Sequence, residues 1–225
     1  MNSGFILINK HSGPTSHDVV DELRKITDIK KIGHAGTLDP LASGLMILGI
    51  SREATRKIDQ FVKLDKEYVA DIKLGAQTDT YDREGQIIKN DFKAILEKEI
   101  KKVLKKFLGK QKQLPPMYSA KKIKGKKLYE LARQGKEVER KPHNIEIYKI
   151  KLISYSWPEL KIIINCSSGT YIRSLAHDIG QKLGCHAYLQ ELQRTKIGLF
   201  SLKQAVELNE LNKKNYIKHL INIDQ

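Results

Sequence analysis

Residues 33–44 read GHAGTLDPLASG. This stretch holds three glycines and a proline in twelve positions, a composition typical of an irregular loop between regular elements. Loops positioned by a rigid scaffold often carry chemistry, which makes the single acidic side chain here, Asp39, a candidate functional residue. From spacing alone the other interpretation is stronger, because a lone aspartate in a loop more often forms a turn or caps a helix.

The residues before this loop predict a strand, a turn and a helix. Phe5 to Asn9 form the strand, and Ser12-Gly13-Pro14 carry the turn signals. Apolar residues then recur at helical spacing at Val19, Val20, Leu23 and Ile26. Thr15 or Ser16 is suited to cap this helix.

The residues after the loop continue the mixture of helices and strands. The apolar spacing predicts helices over 53–62, 91–108 and 171–183, and strands over 68–74, 145–157 and 160–166. No internal repeat interrupts this order. The pattern therefore predicts an α+β (mixed α/β) chain with one catalytic-sized domain.

Length and composition exclude several classes of protein. The chain has 225 residues, enough for one or two domains at roughly 150 residues each, and 40% of them are hydrophobic. No apolar run approaches the roughly 18 residues that a membrane span needs. The N-terminal apolar segment is too short for a signal peptide, so we expect a cytoplasmic protein without a membrane partner.

The charge balance points to an anionic partner. Forty-one Lys and Arg against 26 Asp and Glu give a net charge of +15, a field that attracts polyanions such as nucleic acids. Because only eight of the basic residues are Arg, a lysine-rich composition is an alternative explanation, and charge alone names no substrate. Cys166 and Cys185 have no partners at metal-ligand spacing, which predicts buried structural thiols.

Familiar catalytic motifs are missing from the sequence. It contains no phosphate-binding GxxxxGK[ST], no GxGxxG, no HExxH and no GxSxG. Ser167, His177 and Asp178 supply the residue types of a hydrolase, but without a strand–nucleophile–helix turn their coincidence is expected by chance.

Five blocks of sequence are informative together: GHAGTLDPLASG at 33–44, NKHSGPTSHD at 9–18, KEYVADIKLGAQTDTYDREG at 66–85, PPMYSAKKIKGKKLYELARQGKEVER at 115–140 and CSSGTYIRSLAHDIG at 166–180. In this combination they resemble the TruB-type tRNA pseudouridine synthases. The resemblance implies a pseudouridine synthase fold with a curved central mixed or antiparallel sheet. It also implies isomerisation of a uridine in the tRNA T-arm loop, conventionally position 55, without a cofactor or essential metal.

The resemblance assigns catalytic roles to three residues. Asp39 matches the catalytic aspartate, Arg173 the arginine expected to pair with it, and Tyr68 the tyrosine that stacks on the uracil. Asp39 would act either as a nucleophile toward the ribose or uracil, or as a base at the ribose 2′ position by a glycal route. The sequence does not choose between these routes.

Five further residues match substrate-binding positions of the family. Leu192 would pack against the target base, although an ordinary helix core residue is nearly as good an interpretation. His34 would fill the stack that the flipped base leaves. Lys10 would support the active-site loop or contact the RNA backbone. Lys126 and Lys127 belong to an RNA-gripping insertion at about 110–142, a cluster that also contains Lys121, Lys122, Lys124, Tyr118 and Tyr129.

Two departures from the family bear on its other properties. His11 stands where the family usually has proline. Only a short segment, 203–225, follows a catalytic domain over 1–202, so a complete RNA-binding PUA domain is not expected. The resemblance then implies a monomer acting on tRNA without guide RNA. A non-catalytic RNA chaperone, which would not need Asp39, Tyr68 and Arg173 together, is the alternative function.

Overall fold

A computed structural model of the chain describes residues 3–89, 91–119, 122–123, 125–136 and 138–221. Its helices are α1 (Ser16–Thr27), α2 (Arg52–Arg56), α3 (Asp59–Val62), α4 (Glu97–Lys105), α5 (Leu128–Arg133) and α6 (Ile172–Leu183). Its strands are β1 (Gly4–Lys10), β2 (Ile32–His34), β3 (Ser43–Ile50), β4 (Lys66–Leu74), β5 (Ala76–Thr78), β6 (Ile87–Lys89), β7 (Gly109–Gln113), β8 (Lys122–Ile123), β9 (Lys126–Lys127), β10 (His143–Ser156), β11 (Glu159–Cys166), β12 (Ala187–Ile197), β13 (Phe200–Ser201) and β14 (Val206–Glu207). The predicted α+β class is confirmed.

Helix α1 begins where its sequence predicts. Thr15 is the N-cap, its side chain accepts from the backbone N–H of Asp18, and the Asp18 carboxylate accepts from the backbone N–H of Thr15. This reciprocal arrangement satisfies two backbone donors that a helix start leaves without partners. Val19, Val20 and Leu23 form the buried face.

The chain divides into two compact units. The first consists of Met1–Tyr68 and Leu192–Gln225, and the second of Val69–Glu191. Strands β4 and β12 each contribute residues to both units.

The first unit is built on a mixed sheet with the strand order β14-β1-β3-β12. Strand β1 pairs antiparallel with β3, whereas β14 pairs parallel with β1, and β12 parallel with β3. The core of this unit is a cluster of buried apolar residues: Phe5, Leu7, Ala35, Leu45, Ile47, Ala54, Phe61 and Ile197.

The segment after residue 202 belongs to this first unit. Val206 pairs with Ile8 in the parallel β14–β1 contact, and Ile221 forms a bridge with Phe5. The predicted division of the chain at residue 202 stays a prediction.

The second unit has the strand order β12-β4-β11-β10-β7, with two smaller hairpins, β5-β6 and β8-β9. Helix α4 packs against α6 and β10. The buried residues of β4 and β11 alternate along each strand, as expected for a sheet covered on one face, and those of α6 recur at helical spacing. They are Ala70, Ile72, Leu74, Ile162, Ile164, Ile172, Leu175 and Ile179. Cys166 and Cys185 are both buried, as predicted.

Two predicted helices differ in length from those observed. The helix expected over 91–108 is α4, which starts only at Glu97 because Leu96 is its N-cap and its N–H donates to the Glu99 carboxylate. The helix expected over 53–62 is split into α2 and α3. The remaining strand and helix predictions agree with β1, β4, β10, β11 and α6 to within a few residues.

Candidate active site

Asp39 lies in the segment that joins β2 to β3, residues 35–42, which we call the Asp39 loop. Ala35, the first residue of the loop, and Leu45, in the strand that follows it, are completely buried in the core of the first unit. Asp39 itself is half-buried, and its backbone carbonyl accepts from the N–H of Ala42. The carboxylate is thus carried on an irregular loop whose two ends are fixed in the core.

The start of α1 and the turn before it hold the outer part of this loop. The Ser16 hydroxyl donates to the Leu38 carbonyl at 2.9 Å and accepts from the Leu38 N–H at 2.8 Å. The Ser12 hydroxyl donates to the Leu41 carbonyl at 2.9 Å. These bonds tie the residues on both sides of Asp39 to a separate element.

Lys10 approaches the same loop from the end of β1. Its side chain is buried, with the whole residue 1% exposed. The Nζ ammonium donates to the carbonyls of His11 at 2.8 Å and of Pro40 at 3.3 Å. Of the two roles that the sequence leaves open for Lys10, this position favours support of the loop over contact with the RNA backbone.

Arg194, on β12, is a further contact of the loop, and the sequence gives no indication of it. The residue is 1% exposed, and its guanidinium donates to the carbonyls of Leu45, Gly36 and Thr37 at 2.7, 3.1 and 3.5 Å. An arginine in a strand between Gln193 and Thr195 resembles any exposed strand residue. Its burial follows only from the pairing of β12 with β3.

His34 is the last residue of β2 and directly precedes the Asp39 loop. Burial lowers the pKa of His34 below its ordinary value, the positive charge of Arg194 lowers it further, and a hydrogen bond with the Gly36 backbone opposes both. The imidazole is therefore held toward its neutral form.

Tyr68 and Leu192 lie on neighbouring strands of the first unit, each 8% exposed. The hydroxyl of Thr195 on β12 donates to the carbonyl of Glu67 on β4, which helps fix the two strands. The alternative interpretation of Leu192 as a helix core residue is wrong, because the residue lies on a strand.

Arg173 belongs to the second unit, where it is the second residue of α6. Its Nη1 atom forms a buried ion pair with Asp82 at 3.0 Å and donates to the Thr80 carbonyl at 3.3 Å. Its Nη2 atom donates to the Tyr118 carbonyl at 2.6 Å. A positive charge near a helix N-terminus is unfavourable, and the Asp82 carboxylate offsets that cost. The predicted pairing of Arg173 with Asp39 stays a prediction.

Asp82 is a residue whose role the sequence analysis missed. Its Oδ1 atom accepts from the Thr80 hydroxyl at 2.7 Å and from the Glu84 N–H at 3.0 Å, which leaves Oδ2 directed at Arg173. The sequence feature that points to Asp82 is the acidic turn TDTYDREG at 78–85. Its composition is that of a cation-binding loop, but its second aspartate, Asp82, binds the guanidinium of Arg173.

The predicted RNA-gripping lysines are only partly covered by the structure. Lys126 and Lys127 form strand β9, which pairs antiparallel with β8, where Lys122 lies. Lys121 and Lys124 lie outside the described residues. Tyr118 contributes its carbonyl to the Arg173 contacts described above.

The residues of the hydrolase interpretation are not assembled for catalysis. Ser167 accepts from the Glu146 N–H at 2.9 Å, and His177 stacks on Tyr81 with ring centroids 4.0 Å apart. In the described part of the chain the His177 Nδ1 atom is buried without a hydrogen-bond partner, so no base–carboxylate contact orients it. Nor do the described residues include a group of three or more His, Cys, Asp or Glu able to hold a metal ion, or a helix long and apolar enough to cross a membrane.

Comparison with known proteins identifies the class to which this chain belongs. A family model described as "TruB family pseudouridylate synthase (N terminal domain)" matches residues 24–172, and one described as "tRNA pseudouridylate synthase B C-terminal domain" matches residues 173–222. The chain that carries Asp39 on this loop and mixed sheet therefore matches the pseudouridylate synthases.

Curated relatives agree with this class over nearly the whole chain. A protein of Protochlamydia amoebophila named tRNA pseudouridine synthase B is 51% identical over 209 residues, which cover 93% of this chain and 79% of the relative. A protein of the same name from Clostridium tetani is 46% identical over 220 residues, covering 97% of this chain and 76% of the relative. The chain belongs to the TruB family of pseudouridylate synthases.

Two solved structures share the fold. One is a crystal structure of a Cbf5–Nop10–Gar1 complex, in which the matched chain is 31% identical with a TM-score of 0.73. The other is an H/ACA ribonucleoprotein bound to a substrate RNA containing 2′-deoxyuridine, at 29% identity and a TM-score of 0.70. Each match covers 92% of this chain but only 52% of the solved chain, so this chain spans about half the length of those proteins.

Proposed function

We propose that this chain isomerises a uridine in the T-arm loop of tRNA, position 55, to pseudouridine, with Asp39 as the catalytic residue. The proposal takes the tRNA substrate from the names of the curated relatives. It includes a monomer as the acting form, the cytoplasm as the compartment, and the predicted division into a catalytic domain over 1–202 and a short segment after it.

The reaction sets clear demands on the protein. The N-glycosidic bond must break, the uracil must turn, and a new bond must form from its C5 carbon to the ribose. A carboxylate beside the sugar serves this sequence either as a nucleophile or as a base at the 2′ position, and both routes remain open for Asp39. After the new bond forms, a base must remove the C5 proton, a step to which Tyr68 would contribute.

The uridine must leave the folded T loop before it can react. Flipping a base costs roughly a few kcal/mol of unstacking, which binding energy has to offset. His34 would occupy the vacated position, Leu192 and Tyr68 would pack against the flipped base, and Arg173 would pair with the Asp39 carboxylate. A neutral imidazole suits this role of His34, since an uncharged ring loses less hydration when it enters a stack.

The fixed position of the Asp39 loop is the observation that carries the proposal. Five of its carbonyl groups accept hydrogen bonds from other elements: those of Gly36, Thr37, Leu38, Pro40 and Leu41. A solvated turn that merely connected β2 to β3 could leave these carbonyls to water, whereas a catalytic carboxylate must stay within a fraction of an ångström of its working position.

The test uses purified protein, an unmodified tRNA transcript and no added metal or nucleotide. Wild type should form pseudouridine at position 55, mapped by chemical modification and reverse transcription. Asp39→Asn should form none while its Kd for tRNA stays within about threefold of wild type, because the amide keeps the size of the side chain but loses its nucleophilic and basic character. Asp59→Asn removes an exposed carboxylate of the same unit and should behave as wild type.

Two outcomes would contradict the proposal in different ways. Pseudouridine from Asp39→Asn would remove Asp39 from the chemistry. Tight tRNA binding without pseudouridine from wild type would favour the RNA chaperone alternative.

A further inference from the structure

We propose that Arg194 is a positioning residue for the reaction, fixing the Asp39 loop through its backbone so that the carboxylate meets the ribose in a productive position. The inference rests on the proposed function of Asp39. Arg194 donates to Gly36 and Thr37, which precede Asp39, and to Leu45, which follows the loop. One side chain therefore connects the first part of the loop to the strand that follows it.

The planar guanidinium is well suited to this arrangement. It presents five N–H donors in a rigid fork and stays charged at all relevant pH values, so one residue reaches several carbonyls at once. Lysine at the same place would provide a single point donor on a flexible chain. The three acceptors of Arg194 lie on two separate stretches of backbone, which only a forked donor spans.

The partners of Arg194 are unusual for a buried cation. Within the described residues the guanidinium contacts backbone carbonyls, and it forms no ion pair with a carboxylate. A buried charge without an opposite charge is costly, and an apolar side chain of similar volume is often as stable or more stable. Arginine at this position is therefore better explained by the geometry it imposes on the loop than by general stability.

The backbone around Arg194 gives the guanidinium a fixed origin. Arg194 on β12 is paired with Gly44 at the start of β3. The approach is so close that a Cβ added at Gly44 would lie 2.3 Å from the Arg194 carbonyl oxygen. Because the two main chains are in direct contact, the backbone of Arg194 is held in place against the start of β3, the strand that follows the loop.

His34 provides a readout of the Arg194 charge that is independent of stability. Burial contributes most to its lowered pKa, Arg194 contributes next and His17 also adds, while the hydrogen bond with Gly36 acts in the opposite direction. Removing the Arg194 charge should therefore raise the pKa of His34, and moving that charge by a lysine substitution should change it less.

The experiment compares Arg194→Met, Arg194→Lys and wild type on a tRNA transcript under single-turnover conditions. Arg194→Met keeps an unbranched stem of similar length to the aliphatic part of arginine but removes the guanidinium and its donors, and we expect a rate about 100-fold lower, the loss typical of a misplaced catalytic group. The Kd for tRNA should stay within about threefold, since Arg194 is buried and the change acts on the chemical step. Arg194→Lys should fall between the two proteins.

The matched control is Arg24→Met. Arg24 also belongs to the first unit, donates to a backbone carbonyl, that of Lys30 at 3.1 Å, and pairs with Asp21, but it does not contact the Asp39 loop. Its rate should equal that of wild type. Titration of His34 by NMR should show a higher pKa in Arg194→Met than in wild type and no change in Arg24→Met.

A wild-type rate in folded Arg194→Met would overturn the inference, as would a loss that appears only as weaker tRNA binding. If Arg194→Met does not fold, Arg194→Lys decides: a slower rate at unchanged Kd supports the inference, and an unchanged rate overturns it. A wild-type protein that forms no pseudouridine would instead refute the proposed function, together with this inference.

Discussion

Lys10 and Arg194 are buried cations that serve the same loop with different chemistry. Lys10 reaches Pro40, directly after Asp39, with a single ammonium, whereas Arg194 reaches Gly36 and Thr37 with a fork. A lysine that binds RNA phosphates must expose its ammonium to the nucleic acid, and the burial of Lys10 does not allow this. We therefore propose that these two residues support the loop rather than contact phosphates.

His34 makes the stability of the fold depend on pH. Its pKa is lowered in the folded protein, chiefly by burial, whereas the unfolded chain has the ordinary value of about 6.5. Between the folded pKa and about pH 6.5 the unfolded state binds more protons, so stability rises with pH in that window and is lost as the pH falls through it. We expect wild type to lose more free energy of unfolding than His34→Gln between about pH 7 and pH 5.

Urea unfolding of both proteins at each pH measures this difference. His177, whose pKa burial also lowers, contributes in the same direction, but it is present in both proteins and cancels in the comparison. Parallel pH dependence of the two proteins would show that His34 is not held neutral in the folded state.

At the scale of elements, the contact between β3 and β12 determines where the Asp39 loop ends. Gly44 has a φ of +108°, and its added Cβ would overlap the Arg194 backbone. Gly44→Ala should therefore lower the free energy of unfolding by the strain of a left-handed backbone, about 1 kcal/mol, plus about 1–3 kcal/mol for the overlap. It should also slow pseudouridine formation, because β12 must shift and Arg194 moves with it.

Gly13→Ala separates these two contributions. Gly13 has a φ of +113°, nearly the same as Gly44, but nothing lies within 4 Å of an added Cβ. In urea unfolding this variant should show the backbone strain alone. Equal destabilisation by the two substitutions would mean that β3 and β12 separate at little cost.

Elements with a local signal were predictable from the sequence, and those defined by their neighbours were not. Helix α1 carries a capping box and an amphipathic face, and β4 alternates buried and half-buried residues, so both were predicted from short segments. Strand β12 reads AYLQELQRTKI and buries its charged Arg194, although a charged side chain is ordinarily expected in solvent. Arg194 is buried because β12 pairs with β3 and β4. Those partner strands, residues 43–50 and 66–74, are distant from β12 in sequence, so no local pattern indicates the pairing.

At the scale of the whole molecule, the predicted site residues come from both units. His34, Asp39, Tyr68 and Leu192 belong to the first unit, and Arg173 to the second. Asp39 and Arg173 are recognisable from the sequence because they lie in blocks that match the family. Arg194 and Asp82 act on those residues through buried contacts, and neither a motif nor periodicity indicates which acceptor a lone charged residue will meet.

The net charge of +15 raises the question of which lysines bind the RNA. The resemblance assigns Lys126 and Lys127 to that role, and each phosphate contact adds about 0.7–0.9 to the slope of log K against log salt concentration. Lys126→Ala with Lys127→Ala should weaken tRNA binding and make this slope shallower by about 1.4–1.8. The single-turnover rate at saturating enzyme should change little, because the Asp39 loop and its contacts are intact.

A second pair of substitutions with the same change in net charge controls for the general field of the protein. Lys203 and Lys214 are exposed in the first unit, outside the predicted RNA-gripping insertion. Lys203→Ala with Lys214→Ala should leave the slope nearly unchanged, since the slope counts phosphates neutralised in the complex and not the total charge. Equal flattening by both pairs would mean that the lysine-rich surface as a whole attracts the RNA, and that the 110–142 segment has no special part in binding.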